Sequence, residues 1–287
     1  MNLAGRAAII TGANQGLGKA IAARFVRQGA SVLLMARGEE LLRQTEAELR
    51  PLCAGPGQKV CWVRGDLARE EDCQAAVARA REEFPALHVL VNNAGVYGPM
   101  GRLDEVEWQA WLDALGINLL GTVLMCRAVL PLFRARRSGK IINLSGGGAT
   151  APLPRLSAYA ASKAAIVRLT ETLALEVRDD GIDVNAIAPG ALNTRLLDEV
   201  LAAGPDKVGQ EFYQKALRQR DEGGTALDKG AELAAFLASS ESDGITGRLI
   251  SAVWDDWHHL PARKEQMAES DLYTLRRIVP RDRGLSW

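Results

Sequence analysis

A glycine-rich turn near the start of the chain sets the strongest limit on its fold. A short β-prone run over 7–11 leads into Thr11-Gly12-Ala13-Asn14-Gln15-Gly16-Leu17-Gly18, and a helical pattern follows over 16–28. Glycines at such a junction let the backbone turn tightly and approach a pyrophosphate, which sits on the N-terminus of the next helix. The spacing is Gly-x-x-x-Gly-x-Gly, whereas the usual dinucleotide fingerprint is Gly-x-Gly-x-x-Gly. Taken alone, such a loop is also an ordinary tight βα turn. Its position, after strand one and before helix one, favours nucleotide binding.

The same rhythm continues down the chain. Candidate strands lie at 31–36, 60–63, 88–91, 140–144, 183–188 and 248–252, with helical stretches at 39–49, 70–83, 105–133, 158–177 and 228–239. In the fifth of the chain's six helical stretches, Ile166, Leu169, Leu173 and Val177 fall on one face. Strands separated by helix-length crossovers imply an α/β fold, a parallel sheet covered on both faces. No internal repeat or linker divides the chain, so 1–252 is expected to be one domain, with 253–287 as its C-terminal extension. Two segments break the rhythm: a polar, helix-prone insertion over 194–225, and a tail carrying Trp254, Trp257, Tyr273 and Trp287. Those aromatics predict a tail, from about residue 255 onward, folded over the substrate cleft of its own or a neighbouring subunit.

Composition narrows the partners. The 287 residues carry 35 Lys plus Arg against 35 Asp plus Glu, leaving no net field to attract nucleic acid or a membrane surface. Cys53, Cys61, Cys73 and Cys126 form no CxxC pair, which suits free thiols in a reducing compartment. The opening residues show no secretory pattern, and the apolar stretch 117–133 is interrupted by Asn118, Gly121, Thr122 and Arg127. It falls short of the roughly 18 apolar residues of a spanning helix. A cytoplasmic protein is expected.

Chemistry-bearing residues recur at strand ends. After the second strand the sequence reads Leu34-Met35-Ala36-Arg37. A carboxylate there would bond a ribose 2′-hydroxyl, whereas an arginine can pair with a 2′-phosphate. NADP(H) is therefore expected over NAD(H), unless Arg37 merely solvates its loop. Tyr159 and Lys163, four apart on a helix, share one face. A free tyrosine, with its pKa near about 10, is a poor acid-base group at neutral pH, and a nearby ammonium lowers that value. By itself this pair is common on surface helices.

Together with Asn92-Asn93-Ala94-Gly95 and Pro189-Gly190-Ala191-Leu192-Asn193-Thr194, these motifs are specific. Over about residues 1–251 the chain resembles the short-chain dehydrogenase/reductase family. In that likeness, Gly12, Asn14, Gln15, Gly16, Leu17 and Gly18 form the cofactor loop, and Asp66 and Leu67 make the adenine-side contact. Asn93, Ala94 and Gly95 belong to the motif that supports the central sheet, and Pro189, Gly190 and Thr194 to the nicotinamide-side segment. Tyr159 and Lys163 match the catalytic pair, and Asn118 matches the helix asparagine that holds a water in the proton relay. The resemblance implies a doubly wound (Rossmann-type) seven-stranded sheet. It also implies hydride transfer between a nicotinamide and a carbonyl or alcohol carbon of a small molecule. A homodimer or homotetramer is implied too.

One departure is serious. The family's carbonyl-polarising serine would stand at position 146, which is Gly146, with Ser145 one residue early and Gly147 and Gly148 following. A one-residue shift in a rigid strand turns a side chain to the opposite face. Three glycines could instead let the loop present Ser145, making it the candidate substitute. The rival reading is a nucleotide-binding sensor that kept the fold and lost turnover, supported only by Gly146. No metal is expected: the two neighbouring histidines, His258 and His259, by themselves make a poor site.

Overall fold

The computed structural model describes residues 1–287. Seven parallel strands run in the order β3-β2-β1-β4-β5-β6-β7. They are β1 (Ala7–Thr11), β2 (Ser31–Ala36), β3 (Val60–Arg64), β4 (Val89–Asn92), β5 (Gly139–Leu144), β6 (Ile182–Ala188) and β7 (Leu249–Ser251). The crossovers carry α1 (Gly16–Arg27), α2 (Glu39–Leu49), α3 (Glu70–Glu83), α4 (Trp108–Leu115), α5 (Gly121–Arg136) and α6 (Ser157–Glu176). Then come α7 (Arg195–Ala203), α8 (Pro205–Val208), α9 (Gln210–Glu222) and α10 (Leu227–Ala238), with α11 (Lys264–Ala268) in the tail. All seven expected strands are present, and the sheet is the doubly wound type the sequence implied.

Side-chain alternation divides the core into two layers. Ala8 and Ile10 of β1, with Val32 and Leu34 of β2, pack beneath Phe25 of α1, Leu42 of α2 and Phe236 of α10. Ile9, Leu33 and Met35 face the other way, against Val77 of α3, Phe133 of α5 and Leu173 of α6. Fully burying one of the Val, Leu, Ile, Phe or Met side chains among them contributes about 1.5–3 kcal/mol of transfer free energy. The strand order reverses between β1 and β4, so the loops leaving their carboxyl ends part and open a crevice there.

The long helix expected over 105–133 is two helices joined by a π-type turn at Gly116–Leu120, with Asn118 inside it. Within Trp108–Arg136 an 18-residue window reaches a mean hydropathy of 1.7, long and apolar enough by composition to cross a bilayer. The interruptions within 117–133 alone point the other way. Here Met125, Cys126, Val129 and Phe133 are buried in the second core layer. The 194–225 insertion folds as α7, α8 and α9 around its own small cluster of Leu197, Val200, Val208 and Ala216.

The tail corrects an expectation. Within the subunit it does not fold over the cleft. It covers the outer edge of β7, where the Leu249 N–H donates to the Tyr273 carbonyl at 2.8 Å. The Arg248 guanidinium donates to the carbonyls of Ser270 (2.9 Å), Leu272 (2.7 Å) and Met267. Trp257, Leu260 and Met267 join the first core layer. The physical reason is the edge itself: unpaired strand groups need partners, and the tail supplies them. Only Trp254, at the tail's start, reaches the cleft.

Candidate active site

The crevice at the carboxyl ends of the strands is a cleft of about 990 Å³. Its floor begins at the glycine loop. Gly12 and Gly16 adopt φ of +62° and +54°, a region that favours glycine. A Cβ on Gly12 would lie 2.8 Å from the Ala94 Cα, and one on Gly18 would collide with the Gly12 carbonyl. Gln15, the residue before helix α1, makes no side-chain cap, so the first N–H groups of the helix are open to an anion. Asn93 locks the loop to the sheet: its Nδ2 donates to the Thr11 carbonyl at 2.9 Å and the Gly12 carbonyl at 3.2 Å. Thr11, not singled out from sequence, accepts from the N–H groups of Asn93 (3.0 Å) and Ala94 (3.1 Å) through its Oγ1.

The expected cofactor residues converge on this cleft. Gly12, Asn14, Gln15, Gly16, Leu17, Arg37, Asp66, Leu67, Asn93, Ala94, Gly95, Pro189, Gly190 and Thr194 all line it, while Gly18 stands behind as a packing position. The Thr194 methyl would sit 3.5 Å from a Cβ on Gly16, bringing the 189–194 segment across the loop. Arg37 faces the cleft; Glu39, the nearest acid in sequence, is held by Arg43 at 2.7 Å. A glycine cradle and an open helix terminus fit a dinucleotide, and Arg37 stands beside β2 at the edge of the same cleft.

Tyr159 and Lys163 line the same cleft from α6. Lys163 Nζ lies 5.6 Å from the Tyr159 ring centroid and donates to the Leu144 carbonyl at 2.8 Å. Burial pushes the Lys163 ammonium down to about 8. Burial, and then the neighbouring Tyr97 phenol, push the Tyr159 hydroxyl upward. The lowering of Tyr159 by Lys163 expected from sequence is therefore reversed in the chain alone. Both groups are taken out of water, and the ammonium is turned to a backbone carbonyl. At neutral pH Tyr159 is a protonated donor.

Asn118 is buried, and its amide is occupied by protein. Its Oδ1 accepts from the Val96 N–H at 2.9 Å, and its Nδ2 donates to the Val96 carbonyl at 2.9 Å and to Ser162 Oγ at 3.0 Å. Ser162 Oγ in turn donates to the Tyr159 carbonyl at 2.7 Å. Asn118 thus ties the segment after β4 to the turn of α6 that carries Tyr159.

Ser145 lines the cleft but is held in the sheet ladder. Its N–H donates to the Ile187 carbonyl at 2.9 Å, which continues the β5–β6 ladder past Leu144. Held there, its hydroxyl lies 3.5 Å from the Lys163 carbonyl. Among the three glycines only Gly148 has positive φ, +88°. The ladder thus stays regular through Ser145, and alternation gives the face toward Tyr159 to Gly146. A Cβ on Gly146 would collide with the Tyr159 hydroxyl.

The far end of the cleft is walled by Tyr97, Leu153, Leu197, Val200, Phe212 and Trp254. Of these, Tyr97 lies two residues past Gly95, a nearness the sequence offered but did not explain. No cluster of three or more metal-ligating side chains forms. His258 stacks on Trp257 at 3.7 Å between centroids, and His259 Nδ1 lies 2.8 Å from the Asp256 carboxylate.

Comparison with known proteins agrees with this geometry. The family model for short chain dehydrogenases matches residues 6–203. The chain belongs to the short-chain dehydrogenase family. Oxidoreductase UcpA of Salmonella typhimurium is 38% identical over 253 residues, covering 85% of this chain and 92% of that protein. The short-chain dehydrogenase fold is matched by a 3-ketoacyl-(acyl-carrier-protein) reductase from Brucella melitensis complexed with NADH. That match has a TM-score of 0.75 and 30% identity, covering 87% of this chain and 97% of that one. A single-residue variant of actinorhodin polyketide ketoreductase with NADPH gives a TM-score of 0.77 at 30% identity, covering 86% and 95%. As a short-chain dehydrogenase the chain is an enzyme acting on alcohol or carbonyl groups with a nicotinamide cofactor.

Proposed function

We propose that the protein is an NADP(H)-dependent oxidoreductase that moves a hydride between the nicotinamide and a carbonyl or secondary-alcohol carbon. The observation that carries this reading is the Tyr159–Lys163 pair, buried at the wall of the cleft whose other end holds the glycine cradle. The nicotinamide, when bound, supplies or accepts the hydride. Tyr159, held protonated by its surroundings, gives its proton to the substrate oxygen. Lys163 holds the ribose and supports the phenolate that remains. Asn118 positions both sides of the site through Val96 and Ser162.

NADP(H) preference rests on Arg37 and on the absence of an acid at Ala36. Asp66 and Leu67 serve the adenine side, and Pro189, Gly190 and Thr194 the nicotinamide side. The substrate end carries Leu153, Leu197, Val200 and Phe212 with no carboxylate in its wall, which favours an apolar ketone over a cationic one. The balanced charge and four unpaired cysteines support a cytoplasmic setting without nucleic-acid or membrane partners. Exposed Trp108, Leu112 and Leu120 around α4 and Leu175 on α6 support a homodimer or homotetramer.

A second reading, a nucleotide-binding sensor without turnover, is favoured by Gly146 alone. Consumption of NADPH in the presence of keto sugars, acyl ketones and steroids separates the two. Turnover of at least one class is expected. Tight NADPH binding with no turnover of any would move the assignment to the sensor.

A further inference from the structure

The proposed reaction needs a hydroxyl beside Tyr159 to stabilise the charge that grows on the substrate oxygen, and position 146 carries none. Ser145 is fixed in the sheet ladder with its hydroxyl toward the Lys163 carbonyl. A second hydroxyl on the cleft wall belongs to Tyr97, whose ring touches that of Tyr159. The Tyr97 ring meets the Tyr159 ring edge to face, with centroids 4.6 Å apart and planes at 65°. Both rings line the cleft. Neither hydroxyl has a hydrogen-bond partner within the chain, and neither is among its sealed-off unpaired atoms.

Tyr97 is also held in place. Asn118 clamps Val96, the preceding residue, through both its N–H and its carbonyl. Upstream, Thr11 Oγ1 fixes the N–H groups of Asn93 and Ala94. On its outer side Tyr97 packs against the Leu197 and Val200 cluster of the insertion. A donor fixed in this way loses little entropy when it meets charge in the transition state, which is the requirement for electrostatic stabilisation.

We propose that Tyr97 donates a hydrogen bond to the substrate's carbonyl oxygen, in place of the hydroxyl missing at position 146. This rests on the reductase reading above. In the step, hydride from the dihydronicotinamide adds to the carbonyl carbon and the C=O π pair moves to oxygen. Tyr159 transfers its proton to that oxygen and becomes phenolate, while Tyr97 keeps its proton throughout. The products are the alcohol, the oxidised nicotinamide and a phenolate that solvent reprotonates. Burial, and then Glu199, push the Tyr97 hydroxyl upward, which keeps it a donor.

Tyr97→Phe tests the assignment, because it keeps the ring and its edge contact and removes only the hydroxyl. With an active ketone at saturation, kcat is expected to fall on the order of 10²-fold, as for loss of one oxyanion donor. KM is expected to stay within about threefold of the parent, since the interaction forms in the transition state. NADPH affinity, read by fluorescence titration, is expected to be unchanged. Parent-like kcat in Tyr97→Phe, or a raised KM with kcat intact, would overturn the proposal and leave Tyr97 a shaping residue. A hundredfold loss in Ser145→Ala with none in Tyr97→Phe would overturn it as well. Tyr159→Phe separates this failure from failure of the reading beneath it. If Tyr159→Phe turns over like the parent, the reductase mechanism itself is wrong.

Discussion

The Tyr159 hydroxyl occupies the space that a side chain at Gly146 would need. Glycine at 146 is thus matched to this position of the tyrosine, and any Cβ there must move the phenol. Gly146→Ala is expected to displace the Tyr159 hydroxyl and lower kcat at least tenfold, the range of one misplaced acid-base group. NADPH affinity should be kept, because the glycine cradle is untouched. Steady-state kinetics beside a fluorescence titration checks both halves; an unchanged kcat would mean that Tyr159 adjusts freely.

Arg37 makes the cofactor choice testable. A charge-assisted pair with a 2′-phosphate contributes on the order of 1.5–3 kcal/mol, so NADPH should bind at least tenfold more tightly than NADH. Arg37→Ala is expected to remove most of that difference, and Ala36→Asp to reverse it by repelling the phosphate. Dissociation constants for both cofactors in the three proteins measure this. Equal constants in the parent would refute the preference.

Much of this architecture was legible in the sequence. The run 7–11 followed by Gly12, Gly16 and Gly18 announced β1, its turn and α1, and Tyr159 and Lys163 announced the pair on α6. What could not be read depended on contacts distant in sequence. Whether Ser145 turns toward Tyr159 depends on the Ile187 carbonyl, which holds the ladder straight from a neighbouring strand. The direction in which Tyr159 shifts depends on its burial and on Tyr97, while Lys163 is drawn off to Leu144. The tail's place depends on the unpaired edge of β7, and no local pattern in 253–287 encodes that edge.

The tail should therefore matter for stability more than for chemistry. Truncation after Ala252 removes Trp257, Leu260 and Met267 from the core and uncovers Leu249. Loss of a buried large side chain costs roughly 2–5 kcal/mol. A lowered Tm and aggregation through the opened edge are expected, read by calorimetry and light scattering. A truncated chain as stable and monodisperse as the parent would contradict this place for the tail.

His88 gives a pH signature away from the cleft. Its Nδ1 accepts from the Ala7 N–H at 3.0 Å, and the Arg136 guanidinium lies 3.1 Å from Nε2. Burial first, then Arg136 and Arg6, push the imidazole down from 6.5 to about 4. Between those values the unfolded chain binds a proton that the folded chain refuses. His88 therefore lowers stability as pH falls from 6.5 to about 4, and adds no further slope below that. His88→Asn should show a flatter decline in Tm across that window, and parallel curves for the two proteins would contradict the assignment.

Single-turnover oxidation of bound NADPH by a reactive ketone, followed by fluorescence in the parent and in Tyr159→Phe, reaches the central claim most directly. In the parent the signal is expected to decay on mixing. In Tyr159→Phe the decay should be slower by roughly 10² to 10⁴, with NADPH bound as tightly as before. Equal decay in the two proteins would contradict proton donation by Tyr159.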